Sequence, residues 1–150
     1  MQELFKITNQ VAVVVGGAGG IGEAIALGLA QFGAKVIIAS RNMKALKNVA
    51  QKITTQTGAE IFPVQVDVTD EESVEQLVKS VIEHYGTIDT LVNAMGVNIK
   101  RDALNYPMED WDLIFDVNVK GTMIACKHFG KIMKNNGHGK IINLSSGPGM

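Results

Sequence analysis

Five short runs rich in β-branched residues punctuate this chain: Gln10 to Val15, Lys35 to Ala39, Ile61 to Val66, Ile88 to Val92 and Lys140 to Leu144. Their apolar residues follow one another without skipping, whereas a half-exposed strand would alternate apolar with polar, so the runs predict strands covered on both faces. Between the runs the period changes. Ile21, Ile25, Leu29 and Phe32 recur at the spacing of one helix face, as do Val74, Leu77, Val78, Val81 and Ile82. Strand then helix, repeated along the chain, predicts an α/β domain: a doubly wound parallel sheet joined by right-handed crossovers.

Helix ends agree with this alternation. Thr69 followed by Glu72 has the form of a capping box, and Asp70, Glu71 and Glu72 place negative charge where a helix dipole favours it. Pro107 suits a first helical position, and Gly33 and Gly86 suit helix stops. A long helix is expected from Trp111 or Asp112 to Lys134, ending in Asn135, Asn136 and Gly137, with Trp111 anchoring its start. Apolar residues surround much of this helix: Ile114, Phe115, Val117, Val119, Met123, Ile124, Phe129, Ile132 and Met133. One face covers the sheet. The other predicts a homo-oligomer through residues 112–134, the alternative being a helix sunk deep in the core.

The 150 residues, 46% hydrophobic and 19% charged, fit one domain with a core that needs no cross-link. Fourteen basic against fifteen acidic residues give a net charge of -1, without the clustered positive charge that nucleic acid or an anionic membrane requires. The single cysteine, Cys126, permits no internal disulfide and fits a reducing compartment; helix packing is its expected role. Met1 to Gln10 does not read as a signal peptide, and the most apolar stretch, Val11 to Gly22, falls short of the roughly 20 residues of a membrane span. A cytoplasmic protein is expected. His84, His128 and His138 lie on separate segments without metal-ligand spacing, so no metal is expected.

Glycine is concentrated at Gly16, Gly17, Gly19, Gly20 and Gly22, directly after the first strand and at the opening of a helix. A dinucleotide pyrophosphate needs backbone N–H donors, the positive end of a helix dipole and no Cβ atoms in its way, and this segment offers all three. A tight strand-to-helix turn is the alternative reading. A P-loop is disfavoured, because Ile21-Gly22-Glu23 stands where Gly-Lys-Ser/Thr would be needed. The spacing is G-x-x-x-G-x-G rather than G-x-G-x-x-G. Here the sequence resembles the short-chain dehydrogenases/reductases: T-G-x-x-x-G-I-G lies on Val15 to Gly22 with Val15 for threonine. The resemblance continues through Asp67-Val68, Leu91-Val92-Asn93-Ala94-Met95-Gly96 against L-V-N-N-A-G, Asn118, and Ile142-Asn143-Leu144-Ser145-Ser146. It implies a Rossmann-type nucleotide-binding domain over residues 1–150, and cofactor contacts from Gly16, Gly20, Ile21, Gly22, Ser40, Arg41, Asp67, Val68, Asn93 and Gly96.

Cofactor choice is read at the end of the second strand. NAD enzymes place a carboxylate there for the ribose 2′-OH, whereas Ser40 and Arg41 offer a hydroxyl and a guanidinium that suit a 2′-phosphate. NADP is therefore expected ahead of NAD; an Arg merely exposed beside a strand end would leave the choice open. Asp67 either supports the turn before Thr69 or, as the resemblance implies, accepts from the adenine amino group. Ala94 and Met95 depart from the family pattern, whose second asparagine ties neighbouring strands.

The resemblance implies hydride transfer between nicotinamide and a ketone or secondary alcohol. Ser146 matches the carbonyl-polarising serine and Asn118 the asparagine that holds a relay water; a turn serine and a tolerated helical polar residue are the plainer readings. The family's tyrosine with a lysine four residues on has no counterpart: Asp89 follows Tyr85 and Asp110 follows Tyr106 at that spacing. The chain by itself is thus expected to be inactive. An apolar fifth strand at the sheet edge and the end in Gly147-Pro148-Gly149-Met150 read as a fragment cut after that strand. Leu4-Phe5 and the stretch 98–104 resemble gluconate-type dehydrogenases, with 3-oxoacyl reductases next. A non-catalytic NADP-binding module for redox sensing or scaffolding is the second reading.

Overall fold

The structure, a computed structural model, describes residues 5–146. Leu4 and Gly147 to Met150, which carried two of the expectations above, lie outside the described residues. Five parallel strands form one sheet in the order β3-β2-β1-β4-β5: β1 Val11–Val15, β2 Lys35–Ser40, β3 Ile61–Gln65, β4 Thr90–Asn93 and β5 Lys140–Asn143. Central β1 has both edges paired, Val11 with Lys35 on one side and Ala12 with Thr90 on the other. Its five residues are all buried. Full coverage holds for the middle of the sheet only; β3 is partly exposed, and every residue of β5 is exposed, Ile142 by 51%.

Alternate residues of each strand feed two separate cores. Val11, Val13, Val15, Ile37 and Leu91 pack with α3 (Glu71–Tyr85) and α5 (Thr122–Asn136). Ala12, Val14, Val36, Ile38 and Val92 pack with α1 (Gly20–Gln31) and α2 (Met43–Thr57) on the opposite face. The strand and helix order is the one expected, and α2 fills the interval where no stripe was singled out. Leu46, Val49, Ala50 and Ile53 form its buried face.

Four local expectations are corrected. The cap of α3 is Asp70, whose side chain accepts from the Glu72 amide at 3.0 Å; Thr69 instead donates its hydroxyl to Asp67 at 2.7 Å, so no Thr69–Glu72 box forms. Pro107 precedes the helix as its cap, with φ −64° and ψ 133°. The long helix begins earlier than expected and is not uniform: α4 (Met108–Phe115) runs through a π-helical turn, Asp116–Gly121, into α5. Helical angles persist at the second junction, where Thr122 has φ −61° and ψ −44°. Gly121 allows this wider turn to lie close to the segment before α3, since a Cβ there would stand 2.8 Å from Val68 Cγ2. Trp111 is half exposed and stacks on Phe115 at 4.7 Å between ring centres rather than anchoring the helix in the core.

One carboxylate ties the starts of three strands. Asp89 Oδ2 accepts from the Val11 amide at 2.7 Å, its backbone exchanges bonds with Val11 and Lys140, and Oδ1 meets His138 Nε2 at 2.8 Å. His138 Nδ1 faces the Asn136 carbonyl oxygen at 3.1 Å, so both ring nitrogens have acceptors and the doubly protonated ring fits best. The hydrogen bond to Asp89, then that to Asn136, raises the His138 pKa above its ordinary value of 6.5. A raised folded pKa adds stability in full below the unfolded value and loses it as pH rises through the folded one. The Tm advantage of the unsubstituted chain over His138→Gln is expected to be largest below the ordinary histidine value of 6.5 and to shrink as pH rises above it. Thermal unfolding followed by circular dichroism checks this, and an advantage constant across that value would overturn it.

Candidate functional site

From β1 the chain winds outward through β2 to β3, then crosses to β4 and β5 on the other side. Where the winding reverses, loops leave the carboxyl ends of neighbouring strands in opposite directions and a crevice opens. A cleft stands there. Val15, Gly16 and Gly19 line it from the first turn, Ser40 and Arg41 from the end of β2, Val66 to Val68 from beyond β3, Ala94 to Val97 from beyond β4, and Val117 from the π turn.

Its floor is a turn in which Gly16, Gly17 and Gly22 leave no room for a side chain. Gly16 has φ +86°, and a Cβ on it would lie 2.6 Å from the Ala94 carbonyl carbon and the Met95 amide nitrogen. A Cβ on Gly22 would lie 2.2 Å from the Gly16 carbonyl oxygen. The turn is held from below, the Gly16 amide donating to the Ala39 carbonyl at 2.7 Å. Gly19 caps α1 without a side-chain bond, so the first-turn amides are left for an outside acceptor, and the helix dipole favours an anion there. Gly20 and Ile21 belong to that exposed first turn and Gly22 is buried beneath it; none of the three lines the cleft wall.

The wall at β2 carries an unusual feature: Ser40 Oγ is buried and has no hydrogen-bond partner. Such a group costs about 1–3 kcal/mol unless something outside the chain satisfies it. Arg41 beside it is exposed. Across from them, Asp67 Oδ1 accepts from the hydroxyl of Thr69 at 2.7 Å and from its amide at 3.0 Å. These two bonds, with the Arg41 charge adding a smaller push, hold the Asp67 carboxyl below the usual carboxylate range. The turn-supporting reading of Asp67 is thus seen directly, and Oδ2 is not used by Thr69.

Asn93 and Asn118 have structural work of their own. Asn93 is 2% exposed, outside the cleft lining, and its amide donates to Asn143 Oδ1 at 2.7 Å across the β4–β5 pair. A tie between neighbouring strands is therefore kept despite Ala94, with Asn93 and Asn143 supplying it. Cys126 lies against the same pair, its sulfur 3.5 Å from Asn93 Nδ2. Asn118, in the π turn, grips one residue with both ends: Oδ1 accepts from the Val97 amide at 2.8 Å and Nδ2 donates to the Val97 carbonyl at 2.9 Å. The loop that Gly96 and Val97 contribute to the cleft is clamped from the long helix in this way. Ser146 follows β5 on the same sheet edge, exposed and outside the cleft lining. Sequence reasoning missed Met95, Val97, Val66 and Val117 as lining residues, because they are ordinary apolar residues whose role comes from position alone.

A second polar cluster lies between α3 and α5. Glu71 Oε1 accepts from Lys127 at 2.6 Å and pairs with His128 Nε2 at 2.7 Å, while Glu75 stands 3.6 Å from His128 Nδ1. Among the described residues, Glu71, Glu75 and His128 are the group close enough to share an ion. The Lys127 ammonium already occupies Glu71, and the bonds from Lys127 and His128 hold the Glu71 pKa at about 2. It works as an ionic clasp joining two helices, assembled from residues too far apart in sequence for any spacing rule to find.

A family model described as short chain dehydrogenase matches residues 10–150. The chain belongs to the short chain dehydrogenase family. An uncharacterized oxidoreductase of Staphylococcus epidermidis is 38% identical over 141 residues, covering 94% of this chain and 60% of that protein. Among solved structures, a short-chain type dehydrogenase/reductase from Mycobacterium marinum superposes with a TM-score of 0.92 at 31% identity, covering 96% of this chain and 58% of the other. An NAD+-bound xylitol dehydrogenase gives a TM-score of 0.90 at 32% identity, over 94% and 54%. The chain thus spans about 60% of the length of the curated relatives it matches. No helix among the described residues of this short chain dehydrogenase chain is long and apolar enough to cross a membrane.

Because Gly22 meets a backbone oxygen, its substitution cannot be absorbed by a side-chain rotation. Gly22→Ala is expected to cost about 1–3 kcal/mol, lowering Tm by roughly 2–12 °C, and to weaken dinucleotide binding through the displaced turn. Differential scanning calorimetry and a nucleotide titration of the same sample check both.

Proposed function

We propose that this chain is the NADP(H)-binding portion of an oxidoreductase that transfers a hydride between nicotinamide and a ketone or secondary alcohol. The observation that carries the cofactor reading is Ser40 Oγ, buried in the cleft wall without a partner and followed by Arg41. A 2′-phosphate would satisfy the hydroxyl and meet the guanidinium, and no carboxylate stands at the end of β2 to repel it. When bound, the cofactor supplies or accepts the hydride at its nicotinamide ring.

The chain's own residues have separable tasks in this reading. Gly16, Gly20, Ile21 and Gly22 let the pyrophosphate approach the first-turn amides of α1. Asp67 Oδ2 accepts from the adenine amino group beside Val68. Gly96 gives close backbone approach on the far side of the cleft, in a loop positioned by Asn118 and backed by Asn93. Ser146 polarises the substrate carbonyl. No residue in these 150 combines a tyrosine with a lysine four positions on, so the chain holds no such proton donor for the developing alkoxide. The likeness to xylitol dehydrogenase and the gluconate-type resemblance both favour a polyol or sugar-derived ketone. That enzyme was solved with NAD+; the preference for NADP here rests on Ser40 and Arg41 alone.

The unsubstituted chain is expected to bind NADPH more tightly than NADH, and Arg41→Ala to weaken NADPH by about 10- to 100-fold while leaving NADH nearly unchanged, as befits a charged hydrogen bond. Equal affinities for the two cofactors in both proteins would sink the assignment, and turnover of any ketone by the purified 150-residue chain would overturn the proton-donor argument.

The partner expected through the long helix is a second copy. Met108, Trp111, Leu113, Phe115, Val119 and Met123 are all at least 41% exposed, and α4 buries none of its residues within the chain. Light scattering is expected to show an oligomer that Trp111→Glu with Phe115→Glu converts to monomer; a monomeric unsubstituted chain would refute the pairing.

A further inference from the structure

Strands β2 and β3 end in register, Ser40 opposite Gln65, and part immediately afterwards. The Ser40 carbonyl takes one last ladder bond from the Val66 amide at 2.9 Å. The Arg41 carbonyl is past the ladder, and Gln65 reaches across to it: Nε2 donates to that oxygen at 3.0 Å. Because the acceptor is a carbonyl, only the amide nitrogen of Gln65 can make this bond, which fixes which end of the side chain points inward. One residue further on, Asn42 Oδ1 caps α2 by accepting from the Ala45 amide at 3.0 Å. The Ser40 and Arg41 carbonyls and the Asn42 side chain are thus each engaged by a different bond. Gln65 itself is exposed and does not line the cleft, whereas Arg41 does.

We propose that Gln65 is a positioning residue for cofactor choice: by holding the Arg41 carbonyl it fixes the root from which the guanidinium reaches the 2′-phosphate, and so sets the preference for NADP(H) over NAD(H). This rests on the reading of Ser40 and Arg41 given above. The physical reason is the freedom of the arginine. Its long side chain has many rotamers, and a wandering backbone attachment adds to what must be ordered when the phosphate binds. Arg41 lines the same cleft as Ser40 and Asp67, so the segment held in this way belongs to the site wall. NADH lacks the phosphate and draws nothing from this arrangement.

The test is titration of the 150-residue chain with NADPH and with NADH, for the unsubstituted protein, Gln65→Met, Arg41→Ala and the double variant. Methionine keeps the length of the side chain and removes the donor. Gln65→Met is expected to weaken NADPH by about three- to tenfold, the range of one neutral hydrogen bond, to change NADH by less than about twofold, and to add nothing once Arg41 is alanine. Equal weakening of both cofactors would mark Gln65 as merely structural, and no change in either would remove it from the site; both overturn the proposal. The two readings fail differently. If Arg41→Ala shifts the NADPH to NADH ratio and Gln65→Met does not, the role of Gln65 alone is lost; if Arg41→Ala leaves the ratio untouched, the 2′-phosphate reading falls and Gln65 with it.

Discussion

Everything in the cleft depends on a contact that excludes side chains. The Gly16 carbonyl oxygen and the Cα of Gly22 lie so close that one methyl group would stand 2.2 Å from the oxygen, and on its other side Gly16 abuts the Ala94–Met95 peptide. This double squeeze starts α1 directly over the end of β1 and brings the β4 loop to the same point. Opening either contact would lift the helix N-terminus off the crevice and separate the two walls. The remaining features, Ser40 in one wall and the clamped Val97 in the other, are useful only because this turn sets the distance between them.

How much of this could be read beforehand follows from which interactions are local. Strand runs and helical stripes report burial, and they gave the strand and helix order and the glycine turn correctly. Strand limits moved by one or two residues, and β4 begins late where the Asp89 carboxylate takes the Val11 amide ahead of the ladder. The Thr69–Glu72 motif failed because Asp67 competes for the threonine hydroxyl. Asn93 carries its motif's expected role at the cofactor, and its amide nitrogen also bonds Asn143, fifty residues away and invisible to any local pattern. Separation in sequence, 57 residues and 24 residues, likewise hid the Glu71–His128 clasp and the hold of Gln65 on Arg41.

The π-helical turn shows why a periodic reading can be right in kind and wrong in detail. Apolar residues on all sides gave a long helix, but wider turns change the face that each later residue presents. That shift lets Asn118 face the Val97 backbone and Gly121 press on Val68, so the helix braces both walls of the cleft while leaving α4 uncovered. Wider helical turns are uncommon and often stand at functional sites, and this one is in direct touch with two loops that line the crevice.

The place of β1 in the sheet has a consequence for the chain as it is made. This strand, Val-Ala-Val-Val-Val, is made well before β4, yet one of its two edges pairs with that strand, at residues 90–93. At 5–20 residues per second that edge stays bare for of order 10 s. An unpaired valine-rich strand is the kind of surface on which chains join one another, and its neighbours β2 and β3 protect only the opposite side. The centre of the finished sheet is thus the most vulnerable part of the unfinished one.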